Sequence, residues 1–365
     1  MGISSEKFRD IISESNPSNL YSQHKIPKRG RTRANCYRIV WESRHPGLSD
    51  LHKVLYLRLA SFAAYRCGYP HPCAHGYVRG RSTRTNAEAH AGHKQLLRCD
   101  LTNFFPSISE ARVISLFLDL GFQKIPAELL ARFTTINGSL PLGLQSSPLI
   151  ANLICHRLDD EMQEMAASHN LTYTRYADDI SLSGDSISLG FADINEVAQR
   201  HGFALSTDKF RITKRGQAHY VTGLSISDLS PRVPRRMKRR LRQELYYSQK
   251  HGVKEHLRKC SSTSYQSDIN RISGMLSYVH SIEPVLAASL GGTWMRVLER
   301  EKLSQAYPPR YEKKPRSLSY LIDETVIEIS HGRSLLALCC VVVEDESEIS
   351  DNVEALVRRY LLDPF

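Results

Sequence analysis

Tyr173-Thr174-Arg175-Tyr176-Ala177-Asp178-Asp179-Ile180-Ser181-Leu182 decides how this chain is read. Apolar and polar residues alternate on both sides of two adjacent carboxylates, which is the pattern of strand, tight turn and strand. Two carboxylates at a bare hairpin tip repel each other and call for a neutralising partner. A divalent cation is the natural one, because Mg²⁺ takes oxygen ligands and is often held by one or two carboxylates together with substrate phosphates. Alone, the pair reads as an ordinary Asp-rich turn, so the surrounding chain has to decide.

The 365 residues allow two or three domains with ample core. An apolar fraction of 41% and a charged fraction of 24% exclude a disordered chain. A net charge of +11 and a pI of about 9.3 point to a polyanionic partner, nucleic acid before membrane. The eight cysteines are scattered without CxxC spacing, and the N-terminus carries no signal-peptide pattern, so a cytoplasmic protein with reduced thiols is expected. No apolar run reaches the length of a membrane span. Cys67, His71, Cys73 and His75 have zinc-ligand chemistry, but their spacing is too compressed for a usual zinc finger, and Pro70 and Pro72 stiffen the loop.

Residues 1–24 read as a helix and a polar loop, followed by a basic arm of Lys25, Lys28, Arg29, Arg31 and Arg33. Residues 51–66 form a mostly apolar helix with His52, Lys53 and Arg58 on another face. His75-Gly76-Tyr77-Val78-Arg79-Gly80-Arg81-Ser82 reads as a short strand-like segment presenting two arginines, whose forks suit phosphate; a plain basic hairpin is the alternative. Gln95-Leu96-Leu97-Arg98-Cys99-Asp100 reads as a buried strand ending in a carboxylate, with Phe104 and Phe105 after it and a helix from Ser109. Leu140 to Pro148 is a turn that opens a helix, with Ser147 as N-cap and Pro148 at the first helical position. That helix N-terminus, facing the acidic hairpin, is suited to nucleotide phosphates. Residues 190–202 read as helix, the stretch through Phe210 and Ile212 as strand, and Tyr220 to Ile226 as another strand. Pro234 starts a helix with Met237, Leu241 and Leu245 on one stripe, surrounded by Arg235, Arg236, Lys238, Arg239, Arg240 and Arg242. So dense a run of one sign favours a polyanion over a merely solvated face.

Asp100 at a strand end, Pro-Leu-Gly and Ser-Pro before a helix, the Asp178-Asp179 hairpin and then Lys209, in that order, resemble the palm of a reverse transcriptase over roughly residues 25–300. Asn86-Ala87-Glu88-Ala89-His90, Val221-Thr222-Gly223 and Ala74 to Ser82 narrow the resemblance to bacterial retron reverse transcriptases. The resemblance implies an α+β right-hand polymerase fold: fingers and palm over residues 1–228, a helical thumb over 229–306, and a linker with a small α/β appendage over 307–365. It implies two Mg²⁺ ions, or Mn²⁺ in their place, at Asp100, Leu101, Asp178 and Asp179. Lys209 is the implied acid for the leaving group, with a plain surface lysine as the alternative. Arg79 and Arg81 would grip the triphosphate, Phe105 would exclude a 2′-hydroxyl, and Leu142 and Gly143 would lie near the incoming nucleotide. Relatives usually have Gln where this chain has Leu142, which bears on nucleotide affinity and fidelity. Asn86, His90, Val221, Thr222 and Gly223 would help select the RNA, and Arg235, Arg239 and Arg242 would hold its phosphates.

The implied activity is RNA-directed DNA synthesis from dNTPs on a dedicated structured non-coding RNA, primed from a 2′-hydroxyl and serving antiphage defence. An effector protein is a further partner the resemblance allows; a membrane is not. A group II intron-like or abortive-infection reverse transcriptase is the near alternative, and an idle RNA-binding protein on the same fold the distant one. The tail reads as a docking hairpin, or as the opening strand of an RNase H-like domain at Ser319 to Thr325, with an apolar strand at Leu335 to Val343 and an amphipathic helix over 347–362.

Overall fold

The computed structural model describes residues 17–27, 37–253, 255–256, 265–303, 324–327 and 336–339. The chain divides into two compact units, Met1–Pro308 and Pro309–Phe365. In the first, a short helix α1 (Pro17–Leu20) leads into β1 (Tyr21–Pro27), which pairs antiparallel with β2 (Tyr37–Ser43). The polar loop expected at the end of residues 1–24 is therefore strand from Tyr21 on, because its backbone pairs with β2. Lys25 lies on β1, while Lys28, Arg29, Arg31 and Arg33 lie outside the described residues.

Helix α2 (Pro46–Cys67) follows, with Pro at its start and Gly68 at φ 67° closing its C-terminus. His52 was expected on a polar face and is instead 1% exposed. It stacks on Phe133 at 4.2 Å, and its ring nitrogens meet Tyr21 Oη at 3.0 Å and Ser146 Oγ at 2.9 Å. Burial pushes its pKa down to about 4.

The centre of the unit is a four-stranded antiparallel sheet in the order β4-β5-β3-β6: β3 (Gln95–Asp100), β4 (Thr172–Tyr176), β5 (Asp179–Gly184) and β6 (Arg211–Lys214). Leu97, Cys99, Tyr173, Ile180 and Leu182 enter the large core. Since strand side chains alternate, Arg98, Asp100, Thr174, Asp179, Ser181 and Ser183 take the opposite face. The core is completed by α4 (Glu110–Asp119), α5 (Lys124–Thr134), α6 (Ser147–Ile154), α7 (His156–Ser168) and α8 (Phe191–Arg200), numbered after the short α3 (Thr83–Glu88). Ser109 caps α4 through its side chain. The N-cap of α6 is Ser146, one residue before the expected Ser147, because Ser147 already has helical geometry.

Arg175 on β4 is fully buried and meets the equally buried Asp159 on α7, Nε to Oδ1 at 2.7 Å and Nη2 to Oδ2 at 2.6 Å. Its Nη1 also donates to Asn152 Oδ1 at 3.1 Å and to the Ala177 carbonyl at 3.0 Å, and Tyr173 Oη donates to Asp159 Oδ1 at 2.7 Å.

Three helices end the described part of this unit: α9 (Arg235–His251), α10 (Tyr265–Ile282) and α11 (Pro284–Arg300). Leu241 and Leu245 are buried as the stripe requires, whereas Arg235, Arg239 and Arg242 are exposed. Buried Glu283 accepts from Val233 N and Lys238 Nζ, both at 2.7 Å, and so ties the start of α9 to the α10–α11 corner. In the second unit, strands Glu324–Ile327 and Leu336–Cys339 pair antiparallel. Asp323, the linker, the rest of the expected apolar strand and the 347–362 helix lie outside the described residues. Among the described residues no helix is long and apolar enough to cross a membrane.

The buried pair yields a stability prediction. Asp159→Asn leaves a guanidinium buried without its counter-charge and should cost about 3 kcal/mol or more in a denaturant melt. Arg175→Met with Asp159→Leu should cost less than either single change. Additive losses would mean that the two side chains act independently.

Candidate active site

The turn between β4 and β5 is Ala177-Asp178, with Ala177 at φ 59°. A non-glycine residue there is strained, and it persists because Arg175 holds its carbonyl. Gly76 presses on the same turn: a Cβ at Gly76 would fall 2.3 Å from Ala177 N, so no other residue fits. Asn152 Nδ2 donates to the Gly76 carbonyl at 2.9 Å. The buried Arg175 network thus fixes the acidic turn and the loop beside it.

Asp100 ends β3 directly opposite Asp179, which begins β5. Leu101 N donates to the Asp178 carbonyl at 2.9 Å, which draws Asp178 to the same end of the sheet. Asp100 is buried, Asp178 half-buried and Asp179 exposed at the mouth. Burial, then the charges of Asp178 and Asp100 and a hydrogen bond with Asp100, push the Asp179 carboxyl up to about 7. Asp178 is raised by burial and by Asp100. The crowding comes from the walls of the cleft and the neighbouring charges, not from a lid over Asp179. Lys209, on the turn Thr207–Lys209, reaches Asp100 Oδ2 at 2.5 Å and supplies one compensating charge.

A cleft of about 470 Å³ opens at this point, lined by Asp100, Asp179, Asp208, Lys209, Arg98, Arg211 and the rim residues Thr83, Thr222 and Gly223 among others. Among the described residues no three His, Cys, Asp or Glu side chains are already clustered as a metal site, at Cys67–His75 or elsewhere. The donor set nevertheless fits a divalent ion: three carboxylates share the single nearby cation Lys209, and burial, together with the charge of the neighbouring carboxylates, holds Asp178 and Asp179 above their ordinary pKa, so positive charge is what oxygen ligands of this kind would attract. Leu101 has a buried hydrocarbon side chain and offers only its backbone to such an ion.

Phe105 is buried, edge-on to Phe104 at 5.2 Å and to Tyr77 at 6.1 Å. Gly143, at φ 120°, lies against β2; a Cβ there would come within 2.2 Å of the Trp41 carbonyl, while Trp41 N donates to the Leu142 carbonyl at 2.8 Å. Residues 75–82 are successive turns rather than the expected strand, since Tyr77 and Gly80 take positive φ. Arg79 is exposed. Arg81 Nη1 donates to the carbonyls of His71, Pro72 and Ala74 at 2.7, 2.8 and 2.5 Å, so that nitrogen shapes the loop.

The two elements expected to help select the RNA are largely turned inward, with Gly223 exposed and Thr222 half-buried at the cleft rim. Asn86 and Val221 are buried, and fully buried His90 bridges Ser183 Oγ on β5 at 2.6 Å and Thr174 Oγ1 on β4 at 2.7 Å. Burial pushes His90 down to about 3, so it is neutral. Tyr220 to Ile226 is a hairpin of β7 (Tyr220–Val221) and β8 (Leu224–Ser225), because Thr222 and Gly223 both take positive φ, as a two-residue turn requires. Thr222 Oγ1 donates to the Thr83 carbonyl at 2.9 Å, joining this hairpin to α3 at the cleft rim. Sequence reasoning missed Arg98, Arg211 and Asp208 in the cleft. The one available signal was the period-two spacing that puts Arg98 on the face of Asp100.

A four-stranded antiparallel sheet with its acidic end facing a cleft, backed by helices, is the architecture of a polymerase palm. A family model described as reverse transcriptase (RNA-dependent DNA polymerase) matches residues 26–226. The chain belongs to this family, and within it to the retron reverse transcriptases. Retron Mx65 reverse transcriptase of Myxococcus xanthus is 31% identical over 241 residues, covering 60% of this chain and 53% of that protein. Retron Ec86 reverse transcriptase of Escherichia coli is 30% identical over 217 residues, 58% of this chain and 68% of that protein. Retron Ec73 reverse transcriptase of Escherichia coli is 31% identical over 242 residues, 59% and 71%. The chain spans about half the length of the Myxococcus relatives it matches.

Removing one of the crowded carboxylates should stabilise the metal-free protein. Asp179→Asn is expected to raise the melting temperature without Mg²⁺ and to shrink the further rise that Mg²⁺ brings to the wild type. A lower metal-free melting temperature would show that the aspartates do not repel one another in the folded state.

Proposed function

We propose that this protein is an RNA-directed DNA polymerase that copies a dedicated structured RNA into single-stranded DNA, priming from a 2′-hydroxyl of that RNA and leaving a branched RNA–DNA product. The observation that carries the reading is the meeting of Asp100, Asp178 and Asp179 at one end of the palm sheet, beside an open cleft. When bound there, two divalent ions would supply the positive charge that favours ionisation of the attacking hydroxyl and departure of pyrophosphate. Asp100 and Asp178 would hold them, with Asp179, opposite Asp100 on the paired strand, completing the set. Lys209 would neutralise or protonate a departing oxygen, a reading supported by its contact with Asp100. Phe105, wedged between Phe104 and Tyr77, has little freedom to retreat from a 2′-hydroxyl, which supports deoxyribonucleotides as substrate.

Residues 1–228 serve as fingers and palm in this reading, and residues 229–306 as thumb. The exposed Arg235, Arg239 and Arg242 give the thumb a sequence-independent hold on phosphates. Asn86, His90 and the Val221–Gly223 hairpin act on RNA choice through the shape of the rim they brace, since RNA is selected by shape and unpaired bases. A cytoplasmic role in antiphage defence, with an effector protein as partner, follows from the retron reading alone.

Asp178→Ala should abolish nucleotide incorporation while leaving RNA binding near wild type, read by primer extension with Mg²⁺ and by filter binding. Nucleic acid copurifying with the wild type should release DNA after RNase and debranching treatment. Absence of any covalent RNA–DNA species would return the protein to a generic reverse transcriptase. Phe105→Ala should raise ribonucleotide use relative to deoxyribonucleotide use in single-nucleotide assays; an unchanged ratio would remove the gate role from Phe105.

A further inference from the structure

The cleft contains two cations that the reaction proposed above does not use. Arg98 lies on β3 two residues before Asp100 and on the same face, and Arg211 on β6 is its direct partner in the strand register. Both line the cleft that holds Asp100 and Asp179. Like charges directly opposite on paired strands weaken the pairing. Burial and the Arg211 charge weigh against the Arg98 guanidinium and only the Asp179 charge favours it; among the described residues neither guanidinium makes an ion pair, and Arg98 Nε is buried with no hydrogen-bond partner. The nearby lysine is no substitute, since Lys209 is held by Asp100. The cleft is therefore divided, with Asp100 and Asp179 at the strand ends and two arginines without an ion-pair partner one pleat behind them. Ser181, the partner of Arg98 on β5, adds a hydroxyl to the same wall.

An anion between the two forks would satisfy both. Phosphate suits them because it accepts paired N–H donors from a planar guanidinium. Its identity follows from position. Phe105, where the sugar of the incoming nucleotide is expected, follows Asp100 in the chain, whereas Arg98 precedes it on the strand. The arginines thus lie on the side of the aspartates away from the incoming nucleotide. Two strand residues span about 6.6 Å, so a group held at Arg98 and one held at the aspartates are neighbours on one nucleic-acid strand. The rim there is Thr83, Thr222 and Gly223, small residues that let a backbone come close.

We propose that Arg98 and Arg211 bind one phosphodiester of the primer strand, adjoining the nucleotide whose hydroxyl faces the aspartates. The site rests on the polymerase reading and goes beyond it by dividing the cleft into a reacting half and a primer-holding half.

The test uses the full chain and primed templates carrying a single uncharged methylphosphonate at each of the last four primer linkages. In the wild type, one linkage is expected to be sensitive, its neutralisation raising KM for primer-template by about tenfold, the scale of one lost charged contact. Arg98→Met and Arg211→Met should each raise KM for the unmodified primer-template by about tenfold, leave kcat within about threefold, flatten the salt slope by about one, and lose the sensitivity at that linkage. Arg211 is exposed on an edge strand, so Arg211→Met carries the test if Arg98→Met melts early. Variants that stay as sensitive as the wild type, a wild type indifferent at every linkage, or a rise in KM for dNTP instead of primer would each overturn the proposal. A wild type that extends no primed template with Mg²⁺ is a separate result, which removes the polymerase reading and the subsite with it.

Discussion

Between the palm sheet and the helices behind it, a guanidinium and a carboxylate with no solvent exposure face each other along two short hydrogen bonds. Taking both charges out of water is expensive, and a well-packed apolar pair of the same volume would be about as stable. What Arg175 and Asp159 provide instead is position. Arg175 spends its remaining donor capacity on Asn152 and on the carbonyl of Ala177, the strained residue at the acidic turn. Asn152 passes the constraint on to Gly76, whose missing side chain lets the 75–82 loop lie against that turn. A chain of directed contacts therefore runs from a helix in the core to the residue before Asp178. Apolar packing, which has no preferred direction, could not hold that turn in a strained conformation.

The opposite face of the sheet follows a different rule. There the strand register gathers like charges: aspartates with aspartates at the strand ends, arginine with arginine one pleat back. Neither arrangement favours the protein standing alone. In the proposed reading both become favourable when a polyanion and its cations enter, since phosphates would meet the arginines and metal ions the aspartates. On that reading the folded chain presents half of an electrostatic lattice whose other half the substrate would supply. Rigid support from the buried face keeps the two unfavourable clusters from relaxing apart.

What could be read from the residues alone was what local periodicity and punctuation encode. The Tyr173–Leu182 hairpin, the strand ending at Asp100 and the stripe of α9 all follow from apolar spacing, and Pro148 and Ser109 mark helix starts close to where the structure has them. The failures share a cause. Arg175 sits in a strand where its polarity suggests the outward face, and its partner is a helical aspartate 16 residues away. His52 and His90 look like surface histidines until tertiary partners are found for both ring nitrogens. Thr222-Gly223 turns a run of β-formers into a hairpin without the Asn-Gly or Asp-Gly signature. In the candidate site the acidic residues were legible because their order along the chain is distinctive. The arginines were not, because their meaning depends on the register between β3 and β6.

That register also governs when the site can come into being. β3 is a central strand, yet both of its neighbours lie later in the chain, with Asp100 paired to Asp179. At about 5–20 residues per second on the ribosome, the nascent β3 waits roughly 4–16 s for β5, and longer for β6. During that interval Leu97 and Cys99 have no strand beside them. The helices made in the meantime, α4 to α7, belong to the same core and can cover that apolar face first. Assembly of this palm is thus expected to run from its helical backing toward its catalytic face, with the acidic cleft as the last part to close.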